Sequence, residues 1–551
     1  MSGPRGLPLA LALFALPSLL NAQQFTPPDE VVDKIVAQEQ AEIQLLRQFS
    51  PLVETYIQYL RLDKQAVVVT DGDKYFLGRA RLADGVQLEL LEYDPGLKMK
   101  LSEDWREFVN IGFVPGGFLQ MIYVDTSSFD RQHYKFEYVR REFLGEVRCL
   151  VFDIAPLRQS DKGRFTGRIW VEDQDYHIVR FNGGYGHSSD ISNYFNFDSW
   201  RINSGTNLWL PAFVYTEQGN PRDPQAKRFS YKPFRAQTRL WGYHLASIGQ
   251  EQELSKITVE GTTINDQNQV ADDHSPFESE YAWEHQAESN AVNYLEQHAL
   301  LAPPGGLDKV LDTVVNNIEV TNHLDLKPEV QCRVLMTTTL ETFSVGHTIV
   351  VSRGLLDVLP DEASLAAILA LELSHIVLGY GPNTQFAFYN KLKFQEKDTF
   401  RHMEFTRTKV EEQAAQYKAN DLLLNSPYSE KCRSAQLFIL ALQQHAKQLP
   451  NLVSPRLGNK IPTIWTITAR SSEPPGAKSA TETVAALPLG GRVRIDPWSG
   501  QLQLAKNRPQ PPAKDAPNLA FRITPFDLYL TRQEANSAAA SSGVAAKLDV
   551  Q

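Results

Sequence analysis

The chain has 551 residues, 42% of them hydrophobic and 22% charged, with a net charge of −10. Such a length suggests roughly three or four domains of ordinary globular composition. The modest acidic balance argues against non-specific nucleic-acid binding, which needs clustered Lys and Arg. Cys149, Cys332 and Cys432 are too few and too scattered for a disulfide framework or a Cys zinc site. One bridge with one free thiol, or three free thiols, both fit them.

Residues 1–22 read as a secretory signal: Arg5, a short apolar run from Leu7 to Leu20, and the small-residue end Leu20-Asn21-Ala22. No later stretch reaches the roughly 18 uninterrupted apolar residues of a membrane-spanning helix. A mature chain without a transmembrane span, exported to the periplasm, is therefore expected.

From Glu30 to Leu62, Ile35, Ile43, Leu46, Val53, Ile57 and Leu60 form an apolar stripe that predicts one or two helices, the second opened by Pro51. Strand patterns follow. Gln65–Thr70 and Lys74–Leu82 flank Asp71-Gly72-Asp73 as a hairpin, and Gly163–Val171 and Tyr176–Phe181 flank a second turn. Leu208–Thr216 and Phe229–His244 continue the series, which predicts an antiparallel sheet of successive hairpins. Residues 249–280 are polar and acidic and read as a last strand and a linker. Helices are expected from Tyr281 to Leu300 and from Leu307 to Asn322, then strands at Gln331–Thr337 and Thr348–Ser352. Further helices are expected over Glu404–Leu424 and Glu430–Gln448. Beyond Pro450, short strands at 461–468, 491–495, 501–504 and 520–523 predict a small β-rich domain. The Ala- and Ser-rich tail is expected to be disordered.

The run from Asp361 to Gly379, DEASLAAILALELSHIVLG, predicts a buried helix capped by Asp361. Within it, Leu371-Glu372-Leu373-Ser374-His375 matches H-E-x-x-H except that Leu371 stands in place of the first His. In that motif two histidines one turn apart hold zinc, and the Glu acts as base on the metal-bound water.

The longer run from Phe343 to His375, with Thr348–Ser352 as a strand and Gly354-Leu355-Leu356 as the following turn, resembles the HtpX/CAAX-prenyl-protease family of zinc metallopeptidases. The resemblance implies Glu372 as base, His375 as a zinc ligand, and an edge strand, Thr348, Ile349, Val350, Val351 and Ser352, that holds extended polypeptide. Its E-x-x-A-D pattern falls on Glu411-Glu412-Gln413-Ala414-Ala415. That implies Glu411 as a further ligand, with Ala415 where the family has Asp. With a hydrocarbon at position 371 the site is left short of a ligand, and zinc is expected to be weak or absent. His347 begins the edge strand and could stand in only if its side chain faces the metal, which alternation along the strand leaves open. His402, nine residues before Glu411, points to the other side of a continuous helix, and His445 has no expected place in the site.

Gly163–Gly183, GRFTGRIWVEDQDYHIVRFNG, resembles a hairpin of LolA-type lipoprotein-sorting carriers. That resemblance implies a half-barrel whose Phe165, Ile169 and Val171 line an acyl or apolar-peptide cavity. The plainer reading is a twisted sheet packed on a helix.

The expected architecture is α+β and multidomain. An N-terminal half-barrel-like antiparallel sheet with a helix spans 23–248, and a linker spans 249–280. A mainly helical zincin-like domain with a short edge-strand sheet spans 281–449, a small β-rich domain 450–534, and a tail 535–551. The expected function is that of a pseudopeptidase binding a polypeptide or lipoprotein client in the envelope. The alternatives are an active zinc endopeptidase with a non-standard ligand set and a lipid or lipoprotein carrier.

Overall fold

The computed structural model describes residues 28–83, 86–91, 118–158, 164–185, 196–205, 208–219, 221–222, 232–245, 276–382, 384–387, 396–467, 486–490, 492–496, 499–505 and 519–532. The expected signal segment, residues 249–275 of the expected linker, and the tail lie outside them.

Helix α1 (Pro28–Leu46) is followed at once by strand β1 (Phe49–Leu62), where a second helix was expected. The reason lies in two-sided burial. Leu52 and Tyr56 belong to the core on one face of the sheet, and Val53 and Ile57 to the core on the other. A strand covered on both faces loses the alternation that marks a half-buried one. Pro51 sits at an irregularity in the β1 ladder, where a missing N–H is tolerated.

Strands β1, β2 (Val68–Arg81), β3 (Gln87–Leu90), β4 (Tyr134–Leu144), β5 (Val147–Pro156), β6 (Phe165–Glu172), β7 (Ile178–Tyr185), β8 (Asn196–Gly205), β9 (Leu208–Gln218) and β10 (Phe234–Leu245) make one antiparallel sheet. Its order is β3-β2-β1-β10-β9-β8-β7-β6-β5-β4. The expected hairpin at Asp71-Gly72-Asp73 is instead a continuous strand, irregular beside Gly72, whose φ is +116°. The turn between β1 and β2 falls at Asp63, whose carboxylate accepts the N–H groups of Gln65 and Val67.

One face of the sheet holds α1. Arg201 makes a two-pronged bond to Glu39 of the helix at 2.7 and 2.8 Å, and His177 lies 3.0 Å from Glu42. Phe165, Ile169 and Val171 are on this face with no solvent exposure. The Phe165 ring packs against Phe181 and Phe197 at 5.6 and 5.8 Å. These three side chains are therefore closed off from solvent, and aromatic neighbours pack against Phe165.

The opposite face of the sheet carries the described residues from Pro276 onward. Helices α2 (Pro276–Gln297) and α3 (Gly306–Thr321) precede strands β11 (Gln331–Leu335), β12 (Glu341–Val345) and β13 (Thr348–Ser352). Then come α4 (Arg353–Val358), α5 (Glu362–Val377), α6 (Thr399–His402), α7 (Lys409–Leu424), α8 (Cys432–His445) and β14 (Asn459–Lys460). A short pair, β15 (Val493–Ile495) and β16 (Leu502–Leu504), follows. One continuous core joins Trp200, Trp209 and Trp241 of the large sheet to Leu365, Leu369 and Leu371 of α5. It also takes in Leu489, Val493, Phe521, Ile523 and Phe526, so the described residues of the expected C-terminal β-rich domain share this core. All three cysteines are buried free thiols.

Buried carboxylates tie these layers together. Glu54 of β1 accepts bonds from the N–H and hydroxyl of Thr338, both at 2.6 Å. Asp73 of β2 accepts from the N–H groups of Asn451 and Leu452. Asp357 of α4 accepts from Gly490, Arg492 and Val493. Burial pushes the Glu54 and Asp357 carboxyls above their ordinary range, opposed first in each case by the Arg239 guanidinium. Among the described residues no helix is long and apolar enough to cross a membrane.

Candidate functional site: a buried carboxylate–imidazole cluster

Asp361 caps α5 as expected, accepting the Ser364 N–H at 2.9 Å. The helix is mostly apolar because it is enclosed on nearly every side: every residue from Ala363 to His375 is buried. Leu371 is 1% exposed, and Glu372 and His375 are not exposed at all. Leu371 and His375, four apart, project from one face of the helix a single turn from each other.

The carboxylate that meets His375 belongs to Glu412 of α7. Its Oε1 lies 3.4 Å from His375 Nε2. Glu411, the residue implied as ligand, is turned to the start of its own helix. Its Oε2 accepts the Thr408 N–H and hydroxyl, each at 2.8 Å, while the Thr408 oxygen accepts the Glu411 N–H. This reciprocal pair is a capping box. The bonds from Thr408 hold the Glu411 carboxyl below its usual value. The sequence carries the signal for this role in Thr408-Lys409-Val410-Glu411, a T-x-x-E. Ala415, one turn further on, is buried as packing.

Around the cluster the polar groups are poorly matched. Among the described residues, both oxygens of Glu372, both ring nitrogens of His375 and both oxygens of Glu412 are buried with no hydrogen bond of good geometry. Burial drives the Glu372 carboxyl up, opposed by His375 and then Arg407. Arg407, from the loop before α7, donates to the Ser344 carbonyl at 2.9 Å and to the Phe405 carbonyl at 3.1 Å. Burial draws this guanidinium below its usual value, opposed by Glu372, Glu411, Glu412 and Glu288. Sequence reasoning missed Arg407, because no motif marks it and a distant strand, β12, fixes its place.

The implied polypeptide-binding strand is differently placed than expected. Thr348–Ser352 is an interior strand, paired in parallel with β11 and antiparallel with β12. Both its edges are occupied, so Thr348, Ile349, Val350, Val351 and Ser352 have no free backbone groups for an added strand. The sequence reading overlooked β12, whose hairpin with β13 turns at Gly346 (φ +55°). Glu288 of α2 lies against that turn, and a Cβ at position 346 would stand 2.2 Å from its Oε2.

The three histidines weighed as substitute donors, His347, His402 and His445, are engaged or placed elsewhere. His347 faces the His285 ring at 6.1 Å, His402 is exposed, and His445 bonds the Ala441 carbonyl at 2.9 Å. Among the described residues, no group of three or more His, Cys, Asp or Glu side chains is arranged to hold a metal ion. A catalytic zinc takes three protein donors and keeps a fourth position for water. His375 and Glu412 supply two, and the place a third would take on the α5 face holds the Leu371 side chain. The donors that the described residues bring together here fall one short of a catalytic zinc's three.

No protein-family model and no curated protein matches the chain. A DUF1329 family protein from Desulfovibrio piger is similar in structure at a TM-score of 0.21 and 9% identity, over 41% of this chain and 96% of that one. The fold and site together define an α+β protein in which a ten-stranded antiparallel sheet backs a helical layer with a buried carboxylate–imidazole cluster.

Proposed function

We propose that this chain is a non-hydrolytic, metallopeptidase-like protein that holds a polypeptide or lipoprotein client in the cell envelope. The client follows only from the family resemblance of the sequence. The observation that carries the non-hydrolytic part of this reading is the buried Leu371 side chain on the same helix face as His375, one turn away. It fills with hydrocarbon the place where a third donor would reach a cation. Without a bound metal, nothing draws the pKa of a water toward neutrality, and Glu372 has no hydroxide to help form. The Arg407 guanidinium supplies positive charge among Glu372, Glu411 and Glu412. It supports the reading of a peptidase-type pocket rebuilt to stand without metal.

An acyl carrier is the less favoured reading, since Phe165, Ile169 and Val171 are packed shut. The test is made on purified full-length chain with fluorescently labelled unfolded casein. Binding without cleavage, unchanged by a chelator, is expected. Chelator-sensitive cleavage would overturn the proposal, and so would failure to bind any unfolded polypeptide.

A further inference from the structure

Strand β4 ends the ten-stranded sheet and pairs with β5 alone among the described strands. It is eleven residues long, YKFEYVRREFL, and carries exposed aromatic side chains, with Tyr138 55% and Phe143 65% exposed. A long, partly apolar edge of this kind is a template for another strand. We propose that it pairs antiparallel with β4 of a second copy of this chain, joining two sheets across a twofold axis between Tyr138 and Val139.

The side chains of β4 fit that register. Lys135 would face Glu142 of the second copy, Glu137 would face Arg140, Phe136 would face Arg141, and Tyr134 would face Phe143. Opposed residues in an antiparallel pair must lie on the same face of the sheet, and here they do. Lys135 and Glu137 line a surface cleft of about 570 Å³ with Asp153, Arg168 and Trp170. Glu142 accepts the Trp170 indole N–H at 3.1 Å and pairs with Arg140 at 2.7 Å, so all four charged residues share that face. Tyr134 and Phe136 pack on the α1 side, and the Tyr138 ring is 5.7 Å from Phe152 of the same core. Beyond the irregularity at Tyr138–Arg140, alternation puts Arg141 and Phe143 on that side too.

The backbone agrees independently. The His133 carbonyl accepts from Leu157 N–H at 2.8 Å, in line with β5. Alternation then turns the backbone groups of Tyr134, Phe136 and Tyr138 away from β5. At the other end Leu144 pairs with Val147 across the hairpin, which turns Val139, Arg141 and Phe143 outward. The register therefore sets outward-facing residues opposite outward-facing ones throughout. The extra residue at the irregularity switches the alternation at the twofold axis. Without it, the charges could not share one face and the free backbone groups one edge.

Sedimentation equilibrium on the full chain tests this. The wild type is expected to be a dimer at micromolar concentration. Glu137→Arg opposes two like charges at two symmetric positions and should weaken the dimer by about tenfold or more. The swap Glu137→Arg/Arg140→Glu should restore it, while thermal unfolding confirms that each variant is folded. A monomeric wild type, a single reversal without effect, or a swap that fails to restore association would each overturn the proposal.

Discussion

His375 Nε2 lies 3.4 Å from Glu412 Oε1, and among the described residues neither buried polar end finds a well-formed hydrogen bond. With Glu372 beside them, two carboxylates and an imidazole are enclosed between α5 and α7, near the Arg407 guanidinium. Structural cores rarely leave this many polar atoms unmatched. Such a cluster costs stability, and the cost can be measured.

Glu372 has a carboxyl pushed up by burial. As pH rises past the ordinary Glu value of about 4.3, the unfolded chain releases this proton before the folded chain does. Stability therefore falls as pH rises toward the folded-state value. Glu372→Gln removes the difference. We expect a higher unfolding temperature than wild type at pH 7, by an amount corresponding to about 1–3 kcal/mol. The gain should shrink near pH 4. A loss of stability at pH 7 would show that the ionised carboxylate is well satisfied.

Arg239 is buried between Glu54 and Asp357, with its Nη2 3.7 Å from Asp357 Oδ2. Arg239→Leu leaves two buried carboxylates without their counter-charge and is expected to destabilise the chain by about 3–5 kcal/mol. Adding Glu54→Gln and Asp357→Asn should recover part of that loss. Denaturant unfolding checks both. Independent, additive effects would mean that the three groups do not act as one network.

Gly167 and Gly183 are cross-strand partners with the Phe165 ring over them. A Cβ at Gly183 would stand 2.2 Å from the Thr166 carbonyl and 2.7 Å from the Gly167 Cα. Backbone must move to admit it, so Gly183→Ala is expected to destabilise by about 2 kcal/mol or more. Near-neutral unfolding would mean that the two strands are held less closely than described.

Much of the architecture is legible in the sequence because local signals and the fold agree. Asp361 caps its helix, Thr348–Ser352 is a strand at its expected bounds, and β6 and β7 are joined through residues 173–177, close to the turn expected at Glu172–Asp175. Where the reading fails, partners distant in sequence decide the outcome. Burial on both faces hid β1 as a helix-like stripe. β13 is interior because β11 and β12 both claim it, which its own five residues do not reveal. At the site, Leu371, Glu372 and His375 are readable because one helix carries them. The carboxylate opposite them is displaced by one residue from the implied position. Helix capping takes Glu411, and the next residue, Glu412, is the one that reaches His375.

Zinc stoichiometry of the wild type beside Leu371→His tests the central claim most directly. The account predicts substoichiometric zinc in the wild type and a gain in Leu371→His. That gain should be abolished by adding Glu412→Ala but kept when Glu411→Ala is added instead. Equal, tight zinc in wild type and Leu371→His would contradict it.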